Sequence, residues 1–178
     1  YQARSHRASA HVSGLIIRSE RAGDEPTIAD ITTSAFAGHP HSDGAEPAIV
    51  AGLRQAGDLA LSLVAESPED GLVGHAAFSP VSISDWPGAW FGLGPVSVLP
   101  RLQRGGVCSS LIREGLALLQ ARGAEGCVVL GSPHYYGRFG FVRDPLLAYP
   151  GPPPEFFQRV VFAGLPPHGV VRYAAAFG

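Results

Sequence analysis

Residues 98–111 read V-L-P-R-L-Q-R-G-G-V-C-S-S-L, an apolar strand end that runs through a glycine pair into a helical pattern. Gly105 and Gly106 lack a Cβ, so their backbone can approach a ligand closely and adopt φ angles closed to other residues. A helix beginning here offers unpaired N–H groups and the positive end of its dipole. The stretch therefore reads as a cradle for a phosphate or pyrophosphate. The backbone N–H groups of Arg104, Gly105, Gly106, Val107, Cys108 and Ser109 are the donors, and the Arg104 side chain adds a positive charge. Cys108 carries a second possibility. A thiol at a helix N-terminus has a lowered pKa and is a better nucleophile, although a small residue filling the turn explains it more simply. His39 and His41 form a His-x-His pair, but no third ligand stands near them in the sequence, so a metal site is discounted.

These groups need a scaffold, and the chain can build one. Its 178 residues suffice for one domain with a full core. With 46% hydrophobic and 16% charged residues it is an ordered chain, not a disordered one. A net charge of −2, with no long Lys/Arg run, argues against nucleic-acid binding. No stretch approaches the roughly 20 apolar residues of a membrane helix. Two cysteines make no disulfide framework, and the cytoplasm is the default location. Residues 1–13 are expected to be a disordered or tag-like segment, and 14–178 a single domain with a Pro-rich extension over 145–178.

Local patterns predict a strand over 15–18, then a helix capped by Asp24 with Pro26 in its first turn. A loop over 38–44 holds His39 and His41, and a helix over 47–56 turns Ile49, Val50 and Leu53 to one side. Segments 59–65 and 72–78 form a hairpin about Ser67-Pro68-Glu69-Asp70-Gly71. Trp86-Pro87-Gly88 reads as a turn. A strand over 90–98 is interrupted at Gly94-Pro95, where Pro cannot donate and a bulge is expected. A helix over 109–122 places Leu111, Ile112, Leu118 and Leu119 inward and stops at Gly123. A strand over 126–130, a turn over 134–138 and closing strands over 160–163 and 170–173 complete a mixed α/β order, with the glycine turn at the carboxyl end of a central strand.

The nucleotide is narrowed by exclusion. A P-loop ends in Gly-Lys-Ser/Thr, but Val107 and Cys108 follow Gly106. A dinucleotide fold needs G-x-G-x-x-G after the first strand, which is absent. Gln103-Arg104-Gly105-Gly106-Val107-Cys108 resembles the Q/R-x-x-G-x-G/A loop of the GNAT superfamily, the acyl-coenzyme A dependent N-acetyltransferases. Cys108 departs from the pattern, which has Gly or Ala there. Tyr135-Tyr136-Gly137-Arg138-Phe139-Gly140-Phe141 resembles the family's closing segment, in which a Tyr precedes a Gly-Phe pair by four residues, as Tyr136 does. Val73-Gly74-His75, Phe78-Ser79-Pro80-Val81, Gly92-Leu93-Gly94-Pro95 and Gly169-Val170-Val171-Arg172-Tyr173 are similar to the bacterial YhbS-like branch, so the resemblance covers about residues 16–177.

The resemblance implies a GNAT-type fold with splayed central strands and flanking helices, and transfer of an acetyl group from acetyl-coenzyme A to an amine. A non-catalytic acyl-coenzyme A sensor is the alternative. It implies that Gln103 to Ser109 hold the pyrophosphate, and that the backbone of Val96 and Val98 holds the pantetheine arm. Val96 or Ser97 then gives the oxyanion donor, and Arg138 meets a phosphate. Tyr136 is the implied general acid, because a phenol with pKa about 10 is protonated at neutral pH; Tyr135 is its alternative. The base is open among Glu46, His75, His39, His41 and a water chain. Loop 36–43, the hairpin near 79–86 and the Pro-rich end would line the acceptor slot, with Trp86, Trp90, Phe156 and Phe157 as an aromatic wall. A homodimer is a further expectation from the family.

Overall fold

The computed structural model describes residues 14–178; the expectation for residues 1–13 lies outside them. The strands are β1 (Ile16–Ser19), β2 (Leu61–Ser67), β3 (Gly71–Ile83), β4 (Trp86–Val98), β5 (Gly126–Leu130), β6 (Leu147–Ala148), β7 (Phe157–Val161) and β8 (Gly169–Arg172). The helices are α1 (Glu25–Phe36), α2 (Glu46–Ala56), α3 (Val107–Ala121) and the single turn α4 (Pro133–Tyr136). The main sheet runs β1-β2-β3-β4-β5-β7, and β8 joins the far end of β3 while pairing β6. Neighbours in the main sheet are antiparallel except β4 and β5, which α3 connects in parallel.

The helix over 107–121 forms because its apolar residues recur at helical spacing, with Leu111, Ile112, Leu116 and Leu119 buried. Leu116 takes the inward place expected of Leu118, which is half-buried. Gly123, at φ 84°, ends the helix, and the Ala124 N–H returns to the Leu119 carbonyl at 3.0 Å. On this side of the sheet α3 packs over Ala76, Phe78, Leu93 and Cys127. On the other side α1 and α2 enclose Ile28, Val50 and Val64. The Pro-rich extension covers the rest of that face, closing Trp90, Val128, Leu147, Phe157 and Val171 into a second core.

Several local expectations need correction. Asp24 does not cap α1: its carboxylate accepts from Arg18 at 2.8 Å and from the Arg21 N–H at 2.7 Å. A guanidinium within reach outcompetes a lone helix N–H. Trp86-Pro87-Gly88 opens β4, and the turn is Ser84-Asp85, with Asp85 at φ 56°. Asp tolerates this left-handed region better than most residues. The closing strands lie at Phe157–Val161 and Gly169–Arg172, because pairing of β7 with β5 sets the first of these, from Gly126↔Val161 to Leu130↔Phe157. No helix among the described residues is long and apolar enough to cross a membrane.

Candidate active site

The site begins with a strand that loses its neighbour. β4 pairs β5 from Trp90↔Gly126 to Leu93↔Val129 and no further. On its other edge the register jumps between Phe78↔Leu93 and Ala76↔Val96, so Gly94 and Pro95 together oppose Ala77. This is the bulge expected at Gly94-Pro95, and beyond it β4 borders an open gap on the β5 side. The backbone phase past the bulge follows from one bond: the Leu99 N–H donates to the Val73 carbonyl at 2.9 Å. Antiparallel pairing alternates with period two. Ser97 therefore turns its N–H and C=O toward β3, while Val96 and Val98 turn theirs into the gap. The Val98 carbonyl there accepts from Gln103 Nε2 at 3.3 Å. Of the two expected oxyanion donors only Val96 is placed to act; the Ser97 amide belongs to the sheet.

A 3-10 turn, Pro100–Leu102, then leads into the glycine loop. The left-handed residues here are Arg104 (φ 67°) and Gly106 (φ 90°), not Gly105. The Gly105 N–H donates to the Leu102 carbonyl at 3.2 Å and is spent on the turn. The helix's own ladder starts with Ser110 N–H to the Gly106 carbonyl at 3.0 Å, and no side chain caps it. The N–H groups of Val107, Cys108 and Ser109 are thus left for a ligand. Cys108 and Ser109 line a cleft of about 630 Å³ together with Val96, Val98, Gln103, Arg104, Gly106, Tyr135 and Arg138, with Ala35, Phe36 and His39 opposite.

A second compartment of about 780 Å³ joins the first. Phe36, His39 and Val96 line both, so they form the neck between them. It continues past Pro95, Leu130, Ser132 and Tyr136 to Pro152, Pro153 and Phe156. Tyr135 faces the first compartment and Tyr136 the second, their rings edge to face at 5.1 Å. Burial raises the pKa of both phenols, which keeps them protonated. The Arg138 guanidinium lies 4.5 Å from the centre of the Tyr135 ring, and its Nε donates to the Tyr135 carbonyl at 3.0 Å.

Most residues expected to bind the cofactor meet in the first cleft. Ser97, Gly105 and Val107 do not line it; Val107 is buried in the core under Gly74. Two expected bases are elsewhere. His75 is fully buried and bonded through Nε2 to Ser62 Oγ at 2.8 Å. Burial pushes its pKa down to about 4, against the pull of Glu20. Glu46 accepts from Ser42 Oγ and lines neither compartment. Trp90 and Phe157 are core residues, and of the expected aromatic wall only Phe156 reaches the second compartment. Sequence reasoning placed Phe36 in the loop lining the acceptor slot, but not at the neck. Its signal was present, since Phe36 follows Ile28 and Thr32 on the inward face of α1 at steps of four. No group of His, Cys, Asp and Glu among the described residues could hold a metal ion.

A family model described as an acetyltransferase (GNAT) domain matches residues 16–143. The chain belongs to the GNAT acetyltransferases. The N-acetyltransferase YhbS of Escherichia coli K12 is 37% identical over 127 residues, covering 71% of this chain and 73% of the relative. YjhQ of the same strain, also an N-acetyltransferase, is 34% identical over 139 residues, covering 74% and 72%. Among solved structures, a GNAT family acetyltransferase from Brucella melitensis in complex with acetyl-CoA superposes with TM-score 0.81 at 46% identity, over 92% of this chain and 98% of that one. Escherichia coli YhbS in complex with CoA superposes with TM-score 0.82 at 32% identity, over 92% and 91%. The expected GNAT fold, with its mixed sheet and flanking helices, is the fold observed.

Proposed function

We propose that this GNAT acetyltransferase moves an acetyl group from acetyl-CoA to an amine by direct attack, across the neck formed by Phe36, His39 and Val96. The observation that carries this reading is the joining of two compartments at that neck. One has the furnishing for a pyrophosphate and a pantetheine arm; the other shares only Val96 of it. Two solved relatives are in complex with acetyl-CoA and CoA, which supports acetyl-CoA as the co-substrate.

The pyrophosphate rests on the open N–H groups of Cys108 and Ser109, with the Arg104 and Arg138 guanidinium groups beside it. The pantetheine arm lies along β4 as an added strand. Its amides pair with the free backbone groups of Val96 and Val98 once Gln103 releases the Val98 carbonyl. That brings the thioester to the neck, where the Val96 N–H receives the negative charge that develops on its carbonyl oxygen. His39, which unlike His41 lines both compartments, is the base that takes a proton from the incoming amine. Tyr136 returns a proton to the departing thiolate, and its raised pKa keeps that proton in place across the working range.

Thiol release from acetyl-CoA in the presence of an amine panel tests the reading. Tyr136→Phe should lower kcat by about 10²-fold, in the range of a lost general acid, with acetyl-CoA affinity retained in calorimetry. Tight acetyl-CoA binding without thiol release for any amine would leave only a binding protein.

A further inference from the structure

The acceptor compartment also limits the kind of amine it can take. We infer that the acceptor is a monoamine carried on an apolar or aromatic body, and not a polyamine, an aminoglycoside or another multiply cationic amine. This inference rests on the acetyl-transfer reading of the same site. The compartment beyond the neck is lined by no Asp or Glu among the described residues. Its polar side chains are His39, His41, Ser132 and Tyr136. None of these carries a negative charge at neutral pH, because the Tyr136 phenol is pushed further up by burial. A second ammonium would leave water with no counter-charge and would meet two imidazoles that are neutral or positive. The remaining walls are apolar, with Phe36 and Phe156 contributing rings and Pro152 and Pro153 a rigid edge. An apolar body loses nothing in entering such a slot and gains with each methylene buried.

The experiment compares propylamine, hexylamine and 1,6-diaminohexane as acceptors with saturating acetyl-CoA, following thiol release. Their reacting amino groups are chemically alike, so differences report the rest of the molecule. From propylamine to hexylamine kcat/KM should rise by up to about fourfold per methylene. The diamine should fall at least about tenfold below hexylamine. Leu130→Asp places a carboxylate in the compartment at an exposed position, 42% accessible at the end of β5, where the fold tolerates it. That variant should bring the diamine level with hexylamine or above it, with calorimetric CoA affinity confirming that the protein is folded. A wild-type protein that uses 1,6-diaminohexane as well as hexylamine overturns the inference and leaves acetyl transfer standing. If no amine is turned over, the transfer reading fails instead. Calorimetry of the CoA-saturated protein with the same amines then decides the slot: saturable binding of hexylamine but not of the diamine supports the inference, and the reverse order refutes it.

Discussion

At the scale of single residues, Cys108 shows two effects opposed. Its place in the first turn of α3 favours the thiolate, through the helix dipole and the unpaired N–H groups. Burial of the thiol disfavours it. Burial wins, and the pKa stands above the ordinary value despite the Tyr135 hydroxyl and the Arg138 charge nearby. A protonated thiol is a poor nucleophile, so no covalent acetyl-enzyme is expected. Mass spectrometry after mixing with acetyl-CoA, without acceptor, should find Cys108 unmodified; a stoichiometric acetyl group there would establish a two-step route. Arg104 makes a related point. The loop needs left-handed backbone at this residue, and a non-glycine supplies it at φ 67°. A sequence motif built on glycines points to the loop but not to the residue that bears the strain.

At the scale of elements, the contact of α3 with β3 fixes where the loop's open N–H groups sit. Gly115 is in the middle of α3, and a Cβ there would overlap the buried ring of Phe78. Gly115→Ala gains up to about 1 kcal/mol of helix propensity but loses about 1–3 kcal/mol by overpacking. The expected net is a lower Tm, by a few degrees for a domain of this size, read from thermal melts. A Tm that rises would show that the helix can lift from the sheet without penalty. The helix itself is legible in the sequence, because periodicity and the Gly123 stop are local. The need for glycine at 115 is not, since the opposing ring comes from a strand 37 residues earlier.

At the scale of the whole molecule, a partly buried polar chain links the end of β1 with α2, β2 and β3. Arg54 donates to Glu20 from both Nε and Nη2, each at 3.0 Å, and Ser62 Oγ joins Glu20 to His75. Burial pushes the Glu20 carboxyl up, but Arg54 and Ser62 outweigh it and hold it below its ordinary value. An ionised Glu20 only accepts, so Ser62 donates to it and accepts the Nε2–H of His75. His75 is thereby neutral, with a buried Nδ1 that has no partner. The unfolded chain protonates this imidazole near its ordinary 6.5, whereas the folded chain resists until about 4. The unfolded state binds more protons in that window, so stability is full above pH 6.5 and falls as pH drops toward 4. The loss is at most roughly 3 kcal/mol. Tm measured from pH 7 to 4 should fall, and His75→Gln should flatten the curve above about pH 5.5, a unit over the ordinary Glu20 value of 4.5, where that carboxyl is ionised in both states. An unchanged slope in the variant would assign the acid sensitivity elsewhere.

The sequence by itself determined the glycine loop, the tyrosine segment, the family and most element positions. Glycine spacing, apolar period and turn residues act between near neighbours, and their physics can be read along the chain. The tertiary structure alone decided which backbone groups of β4 face the gap, because that phase depends on a bulge opposite Ala77 and a bond to Val73 on another strand. It alone brought His39 to the neck while leaving His75 and Glu46 outside it, since a neutral-range imidazole reads the same in the sequence whether it lines a cleft or a core. The second compartment is likewise tertiary. Its walls come from residues 36–41, 93–96, 130–136 and 152–156, and only folding brings together segments so far apart in the chain.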